Sequence, residues 1–318
     1  MTNKNILVVM PVNDRQKQKL EKSASGCQFT YSSYEKATKE MIQNAEIIIG
    51  NADPYFLLDA PKLEWMQLNS AGADLYLKKG VLRDDMILTN ASGAYGPGVA
   101  EHLFAMLFSI QKKLHLYRDR QNECDWHDEG KISSLFGGNL LIVGLGDIGL
   151  YFAHLAKKFD YHVIGIKRNP GELPKDVDEI YTMEHLDALL PNVDVVLSVL
   201  PDTTQTRNIF QKEQFEKMKT TAIFLNGGRG SVVNTEDLCN ALIAREIYAA
   251  GLDVTDPEPL PNQHKLWNMK NVVITPHISG DFHHPETLDR VVDIAADNLK
   301  RYLALKPLKN IVNPETGY

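Results

Sequence analysis

The chain has little cysteine, no long apolar run near its start and no excess of positive charge, and each shortage narrows what it can do. Its three cysteines, Cys27, Cys124 and Cys239, stand far apart with no C-x-x-C spacing. That argues against a cysteine-based metal site and fits a reducing compartment. The first apolar run, Ile6–Met10, is too short for a signal-peptide core or a membrane span, so the protein is expected to be cytoplasmic. A formal net charge of −7 with a pI of about 5.8 argues against a general nucleic-acid binder. Internal repeats and low-complexity tracts are also missing. No cluster has ordinary metal-ligand spacing. His283 and His284 are adjacent and would point in different directions, so no metal is expected. What remains is ample for a buried core: 318 residues, 43% of them hydrophobic, a length that fits two domains.

The first third alternates short apolar runs with amphipathic stretches. Ile6–Met10, Cys27–Tyr31, Glu46–Ile49, Trp65–Leu68 and Ile87–Thr89 read as strands, with helices at Asp14–Lys22 and Tyr34–Asn44. Such alternation implies a parallel sheet with crossover helices. Gly93-Ala94-Tyr95-Gly96-Pro97-Gly98 is the strongest punctuation in the chain and predicts a domain crossing. An apolar-periodic helix from about Val99 to Tyr117 follows. A second alternation places strands at Asn139–Val143, His162–Ile166, Asp194–Ser198, Ala222–Leu225, Tyr248–Leu252 and Val272–Ile274. Helices fall between them, at Ile148–Phe159 and at Thr235–Arg245 with Asn234 as its cap. Six strands alternating with helices match the doubly wound dinucleotide fold. After the polar stretch Ser279–Pro285, a last helix at about Glu286–Leu305 is expected to return to the first domain. The domains are therefore read as 1–98 with 285–318, and 99–284.

Gly144-Leu145-Gly146-Asp147-Ile148-Gly149 lies between a strand pattern and a helix pattern. Its glycines would permit the tight turn, let the backbone approach a pyrophosphate and allow close helix–sheet packing. The helix start at Ile148 offers free N–H groups and a positive dipole end to phosphates. If the cofactor were NAD, the next strand should end in an acid about 20 residues on, to accept bonds from the ribose 2′-OH. Here the strand ends in Lys167-Arg168-Asn169. Two cations there would attract a 2′-phosphate, so NADP(H) is preferred and NAD(H) is possible. An exposed basic turn is the plainer alternative.

Three strand-end stretches carry the chemistry: Asn226-Gly227-Gly228-Arg229-Gly230, Asp256-Pro257-Glu258-Pro259 and Thr275-Pro276-His277. Open α/β sheets put their ligands beyond the carboxyl ends of strands. A guanidinium at Arg229 can hold a carboxylate and polarise a neighbouring carbonyl. His277 can exchange a proton near neutral pH. A carboxylate at Glu258, bonded to the other ring nitrogen, would set the tautomer and favour the charged ring. Asp253 could accept a bond from the nicotinamide carboxamide or simply cap its loop. Tyr76, Tyr95, Trp126, Trp267, Phe282 and His283 are candidates for shaping a pocket or for packing.

With these motifs in order, the chain resembles the D-isomer-specific 2-hydroxyacid dehydrogenases, which include glyoxylate/hydroxypyruvate reductases and phosphoglycerate dehydrogenases. Gly144–Gly149, Leu200-Pro201-Asp202-Thr203-Thr204-Gln205-Thr206, Asn226–Gly230, Asp253–Glu258 and Thr275–Gly280 carry the resemblance. It implies an α/β protein of two doubly wound parallel-sheet domains, with a Rossmann nucleotide-binding domain inserted into a flavodoxin-like substrate domain. It implies that Arg229 binds the 2-oxo acid, that Glu258 supports His277 as proton donor, and that Asp253 holds the carboxamide. Leu200, Pro201, Thr206, Gly227 and Gly280 would lie along the nucleotide. Ser70-Ala71-Gly72-Ala73 matches the loop whose amides bind the substrate carboxylate, with Ala71, Gly72 and Tyr95 as substrate candidates. The resemblance also implies a homodimer through the helix carrying Leu103, Phe104, Leu107, Phe108 and Leu114; burial of that helix within one domain is the alternative. Two other readings stay open. One is an NAD-dependent phosphoglycerate or D-lactate-type dehydrogenase, against which the Lys167-Arg168 tip and the chain length count. The other is a non-catalytic nicotinamide-sensing protein of the same fold, against which the intact Arg229, Glu258 and His277 count.

Overall fold

The structure is a computed structural model that describes residues 3–83 and 85–314. The chain forms two compact units, one of Met1–Tyr95 with Phe282–Tyr318 and one of Gly96–Asp281.

The first unit is built on β1 (Asn5–Val9), β2 (Gln28–Ser32), β3 (Ile47–Gly50), β4 (Trp65–Gln67) and β5 (Ile87–Thr89). They form one parallel sheet in the order β2-β1-β3-β4-β5. That is the flavodoxin-like order. β1 and β3 are apolar on both faces because crossover segments cover a parallel sheet on both sides. The helix Asp14–Ser23 starts where expected, since Asn13 and Gln16 close a capping box. The stretch predicted as one helix from Tyr34 breaks into a short 3-10 turn, Tyr34–Lys36, and a helix Lys39–Asn44. Thr38 explains the break: its hydroxyl caps the second piece by accepting from the Met41 amide at 3.3 Å.

The helix Pro285–Leu303 belongs to this unit and packs on Asp14–Ser23. It is pinned to the sheet by a buried polar network. Asn298 donates to Gln67 Oε1 at 2.8 Å, Thr89 donates to the same oxygen at 2.8 Å, and Trp65 Nε1 donates to Thr89 at 2.9 Å. Buried polar groups survive only when paired in this way.

The second unit carries β6 (Asn139–Val143), β7 (His162–Ile166), β8 (Glu179–Tyr181), β9 (Val195–Ser198), β10 (Ile223–Asn226), β11 (Ala249–Leu252) and β12 (Val272–Ile274). All seven are parallel, in the order β12-β11-β10-β9-β6-β7-β8. The order reverses at β6, which is where a doubly wound sheet opens a crevice for a nucleotide. Six of the strands are those expected. β8 was not, because Glu-Ile-Tyr is a short, mixed edge segment with no apolar run.

The helix predicted from Val99 to Tyr117 begins earlier and ends earlier, at Gly96–Gln111. The Asp147 carboxylate accepts the Gly96 amide at 2.6 Å and so draws the helix start back to Gly96. At the other end Lys113 adopts a left-handed φ of 57°, after which a separate helix runs over Leu114–Asn122. The apolar surplus of the first helix is largely used inside its own unit. Leu103, Phe104 and Leu107 are buried, and Phe104 lies 4.6 Å from Phe152 and 5.0 Å from Phe108, which meets Phe159 at 5.0 Å. Leu114, on the second helix, is exposed.

The core of this unit rests on a second aromatic group. Phe224 has no exposed surface and meets Phe210 at 4.9 Å and Phe215 at 5.5 Å. Phe224→Ala should therefore cost about 3–5 kcal/mol. A clear fall in the urea midpoint is the expected outcome, and an unchanged midpoint would show that the cluster does not carry this unit.

Candidate active site

Parallel pairing brings three strand ends to one level. In the sheet register Asn226 stands beside Leu252, and Leu252 beside Ile274, so β10, β11 and β12 all finish in a single row. The loops leaving that row carry Arg229, Asp253 with Glu258, and His277. The residue types and the spacing came from the sequence; the row brings them together.

Asn226 shapes the first loop. Its amide donates to the Arg229 carbonyl at 3.0 Å, and its oxygen accepts the Gly228 amide at 3.2 Å. Arg229 is extended, at φ −137°, and its Nη1 donates to the Gly228 carbonyl at 3.0 Å. The second loop holds Glu258 between two cis X–Pro bonds, Asp256–Pro257 and Glu258–Pro259. Thr235 and Thr255 secure it by donating to the carbonyls of Asp256 at 2.6 Å and Pro257 at 2.9 Å.

His277 Nδ1 lies 2.9 Å from Glu258 Oε1. Both side chains are about two-fifths exposed, so the pair is open to solvent and orients the ring more than it stabilises the fold. With Nδ1–H given to the carboxylate, Nε2 is the ring nitrogen not engaged by Glu258. His277 also has a left-handed φ of 52°, which a β-carbon disfavours at a cost of about 1–3 kcal/mol. The turn around it holds that conformation. The His277 amide donates to the Asp253 carbonyl at 2.8 Å and to the Thr275 carbonyl at 3.0 Å.

Asp253 is almost fully buried, and both its carboxylate oxygens are taken. Oδ1 accepts from Thr275 Oγ1 at 2.6 Å and from the Ile278 amide at 3.1 Å. Oδ2 accepts from the Ser279 amide at 3.2 Å and from the Ser279 hydroxyl. A carboxylate has about four acceptor positions, and here the turn fills them. Of the two expectations for Asp253, the geometry carries the loop-holding one; a carboxamide contact would have to displace one of these bonds.

The phosphate loop has the shape its glycines require. Gly144 has a φ of +112°, and a β-carbon there would stand 2.9 Å from the Val199 carbonyl oxygen. One at Gly149 would collide with the Gly144 carbonyl oxygen and stand 3.0 Å from Ile142 Cγ2, so that glycine lets the helix close on the loop and strand. The space beside Gly146 is open, which suits a pyrophosphate at the start of the helix Asp147–Lys157. Asp147 is spent on the Gly96 amide. Leu145 and Leu200 are buried beside the loop, and Ile148 is half-buried on the helix. Thr206 closes its own loop, donating to the Pro201 carbonyl at 2.6 Å and accepting the Thr203 amide at 2.9 Å. Gly227 and Gly280 lie in the loops after β10 and β12.

The tip of β7 is set by the unexpected strand. The Lys167 amide donates to the Tyr181 carbonyl of β8 at 3.0 Å, and the Lys167 and Arg168 side chains are exposed there. In the first unit, the carbonyls of Ser70, Ala71 and Gly72 accept from the Ala91 amide at 2.9 Å, from Asn90 at 2.8 Å and from the Ser70 hydroxyl at 2.7 Å. Tyr95 is buried and donates to the Asn69 carbonyl. Tyr76 is a core residue that donates to the Ala52 carbonyl at 2.9 Å, whereas Trp126 and Trp267 are exposed. Two contributors escaped the sequence reading, Asn90 behind the Ser70–Ala73 turn and His102 beside Asp253. Neither sits in a motif, and only contacts reveal them.

Comparison with known proteins places the chain in a family. The family profile described as D-isomer specific 2-hydroxyacid dehydrogenase, NAD binding domain, matches residues 104–279. Glyoxylate/hydroxypyruvate reductase B of Escherichia fergusonii is 33% identical over 287 residues, covering 87% of each chain. A D-isomer specific 2-hydroxyacid dehydrogenase family protein of Aeromonas salmonicida superposes with a TM-score of 0.86 at 32% identity, over 98% of this chain and all of that one. A D-isomer specific 2-hydroxyacid dehydrogenase of Xanthobacter autotrophicus, solved in complex with NADPH and MES, shares the fold with a TM-score of 0.82 at 24% identity, over the full length of both chains. Among the described residues no helix is long and apolar enough to cross a membrane. The chain belongs to the D-isomer-specific 2-hydroxyacid dehydrogenases and is an NAD(P)-dependent oxidoreductase of that family.

Proposed function

We propose that the protein reduces a small 2-oxo acid to its D-2-hydroxy acid with NADPH. The observation that carries this reading is the His277–Glu258 pair at 2.9 Å, on loops that leave the same strand row as the loop of Arg229. Arg229 binds the substrate carboxylate and polarises the carbonyl. His277 donates its Nε2 proton to the oxygen that becomes the hydroxyl, and Glu258 holds the ring through Nδ1. The Ala71 and Gly72 amides serve as an anion nest in their own unit. Bound NADPH supplies the hydride. Gly144, Gly146 and Gly149 would hold its pyrophosphate, and Lys167 and Arg168 its 2′-phosphate. Glyoxylate and hydroxypyruvate are the first candidates, given the names of the Escherichia relatives.

The decisive assay follows loss of NADPH or NADH absorbance with glyoxylate, hydroxypyruvate, pyruvate and larger 2-oxo acids. Turnover with a preference for NADPH is expected. Lys167→Asp with Arg168→Ala should shift the ratio of kcat/KM values toward NADH; an unchanged ratio would remove the tip from cofactor choice. Tight NADPH binding with no turnover on any acid would replace the enzyme by a sensor.

Reduction consumes a proton, and in this reading His277 gives it up. His277→Ala should lower kcat by roughly 10²–10⁴-fold. A kcat left unchanged by that substitution would take the proton-donor role away from His277.

We also read the protein as a homodimer. The segment after Lys113 exposes Leu114, Trp126, Ile132 and Phe136, more apolar surface than a solvated helix and loop need. Light scattering should give twice the 35.8 kDa chain mass, and a single-chain mass would end this reading.

A further inference from the structure

The helix Gly96–Gln111 runs beside the catalytic turn, and one of its side chains is bonded into it. His102 Nε2 lies 2.9 Å from Thr275 Oγ1 and 3.7 Å from Asp253 Oδ1. Thr275 Oγ1 in turn donates to Asp253 Oδ1 at 2.6 Å. A hydroxyl has one proton to give. Having given it to the carboxylate, Thr275 accepts from His102, so the ring of His102 carries a proton on Nε2. The chain of bonds continues through Asp253 to the amides of Ile278 and Ser279, and the Asp253 carbonyl takes the His277 amide. Thr275 and Ile278 thus bracket His277 on both sides, and both are tied to the same buried oxygen.

We propose that His102 is a positioning residue for the proton donor: its Nε2–H bond to Thr275 fixes the 275–279 turn and, through it, the ring of His277 against Glu258. The inference rests on the proposed role of His277 and deepens it. His102 touches neither substrate nor reacting atoms. It extends from a long packed helix, and such an element holds a turn more precisely than the turn can hold itself. The need is geometric. His277 sits at a left-handed φ that its own side chain disfavours, and its donor nitrogen must meet a substrate oxygen within hydrogen-bond reach. What the turn requires of His102 is an N–H at the position of Nε2, without any charge. An amide of similar reach should therefore replace it.

The test compares His102→Leu with His102→Gln, the second keeping a donor at the corresponding distance. With the best 2-oxo acid and NADPH, His102→Leu should lose roughly 10- to 100-fold in kcat, the scale of a small misplacement of a reacting group. KM for NADPH should stay unchanged, and His102→Gln should recover most of the rate. Hydrogen exchange of the amides of residues 275–280 should rise in His102→Leu and return toward the parent in His102→Gln. Wild-type kcat retained in His102→Leu, a loss carried by KM for NADPH, or no recovery in His102→Gln would each overturn the proposal. If the parent protein reduces no 2-oxo acid, the proposed reaction falls. The exchange comparison then still decides whether His102 holds the turn, with equal exchange in all three proteins counting against it.

Discussion

The Asp253 carboxylate is the fixed point of the candidate site. It is buried at the end of β11, where an ionised group survives only if its oxygens are filled. They are filled by Thr275, Ile278 and Ser279, all from the chain leaving β12. Burial makes those bonds costly to break, because each broken one strands part of a charge away from water. The turn is thereby forced to close over Asp253, and its closure places His277 in a conformation it would not choose alone. Glu258 then meets the ring from the same strand's loop. The His277–Glu258 pair is a consequence of a buried acid being satisfied.

The helix Gly96–Gln111 joins that site to the hydrophobic core. Phe104 packs within the aromatic cluster, Leu103 and Leu107 are buried, and His102, next to Leu103, is bonded to the turn around His277. A helix presents adjacent residues about 100° apart, so one element can pack a core and supply a polar contact at once. Its start is anchored in the same spirit. Asp147, the first residue of the helix behind the phosphate loop, spends its carboxylate on the Gly96 amide. The glycine loop and the turn around His277 are therefore both tied to this one helix, within a single unit.

Around the nucleotide loop the division of labour is similar. Glycines define the backbone, and the cations that would select the 2′-phosphate sit at the tip of β7. That tip ends where it does because β8 adds an edge strand and accepts the Lys167 amide. β8 itself is held by side chains: Glu179 takes His162 Nε2 at 2.7 Å and the Tyr181 hydroxyl at 2.6 Å. In the first unit, Gln67, Thr89 and Asn298 tie the returning helix to the sheet, and Asn90 steadies the Ser70–Ala73 turn.

Local signals in the chain specify the parallel α/β class, eleven of the twelve strands to within a residue or two, and the strand-end stretches that carry Arg229, Glu258 and His277. Buried parallel strands are continuous apolar runs, and the glycine loop and strand-end polar groups have fixed spacing. The sequence also carried the basic tip at Lys167 and Arg168. What it could not carry were features decided by partners distant along the chain. The helix from Gly96 starts at an acid 51 residues away and stops where Lys113 turns left-handed. β8 is a strand because β7 is beside it. For Asp253 the sequence left a carboxamide contact and a loop cap both open, with its four donors out of sight, and His102 had no motif to mark it. Hydrophobic period and spacing are properties of a segment, whereas the filling of a buried carboxylate is a property of the folded neighbourhood, and only the tertiary structure could assign it.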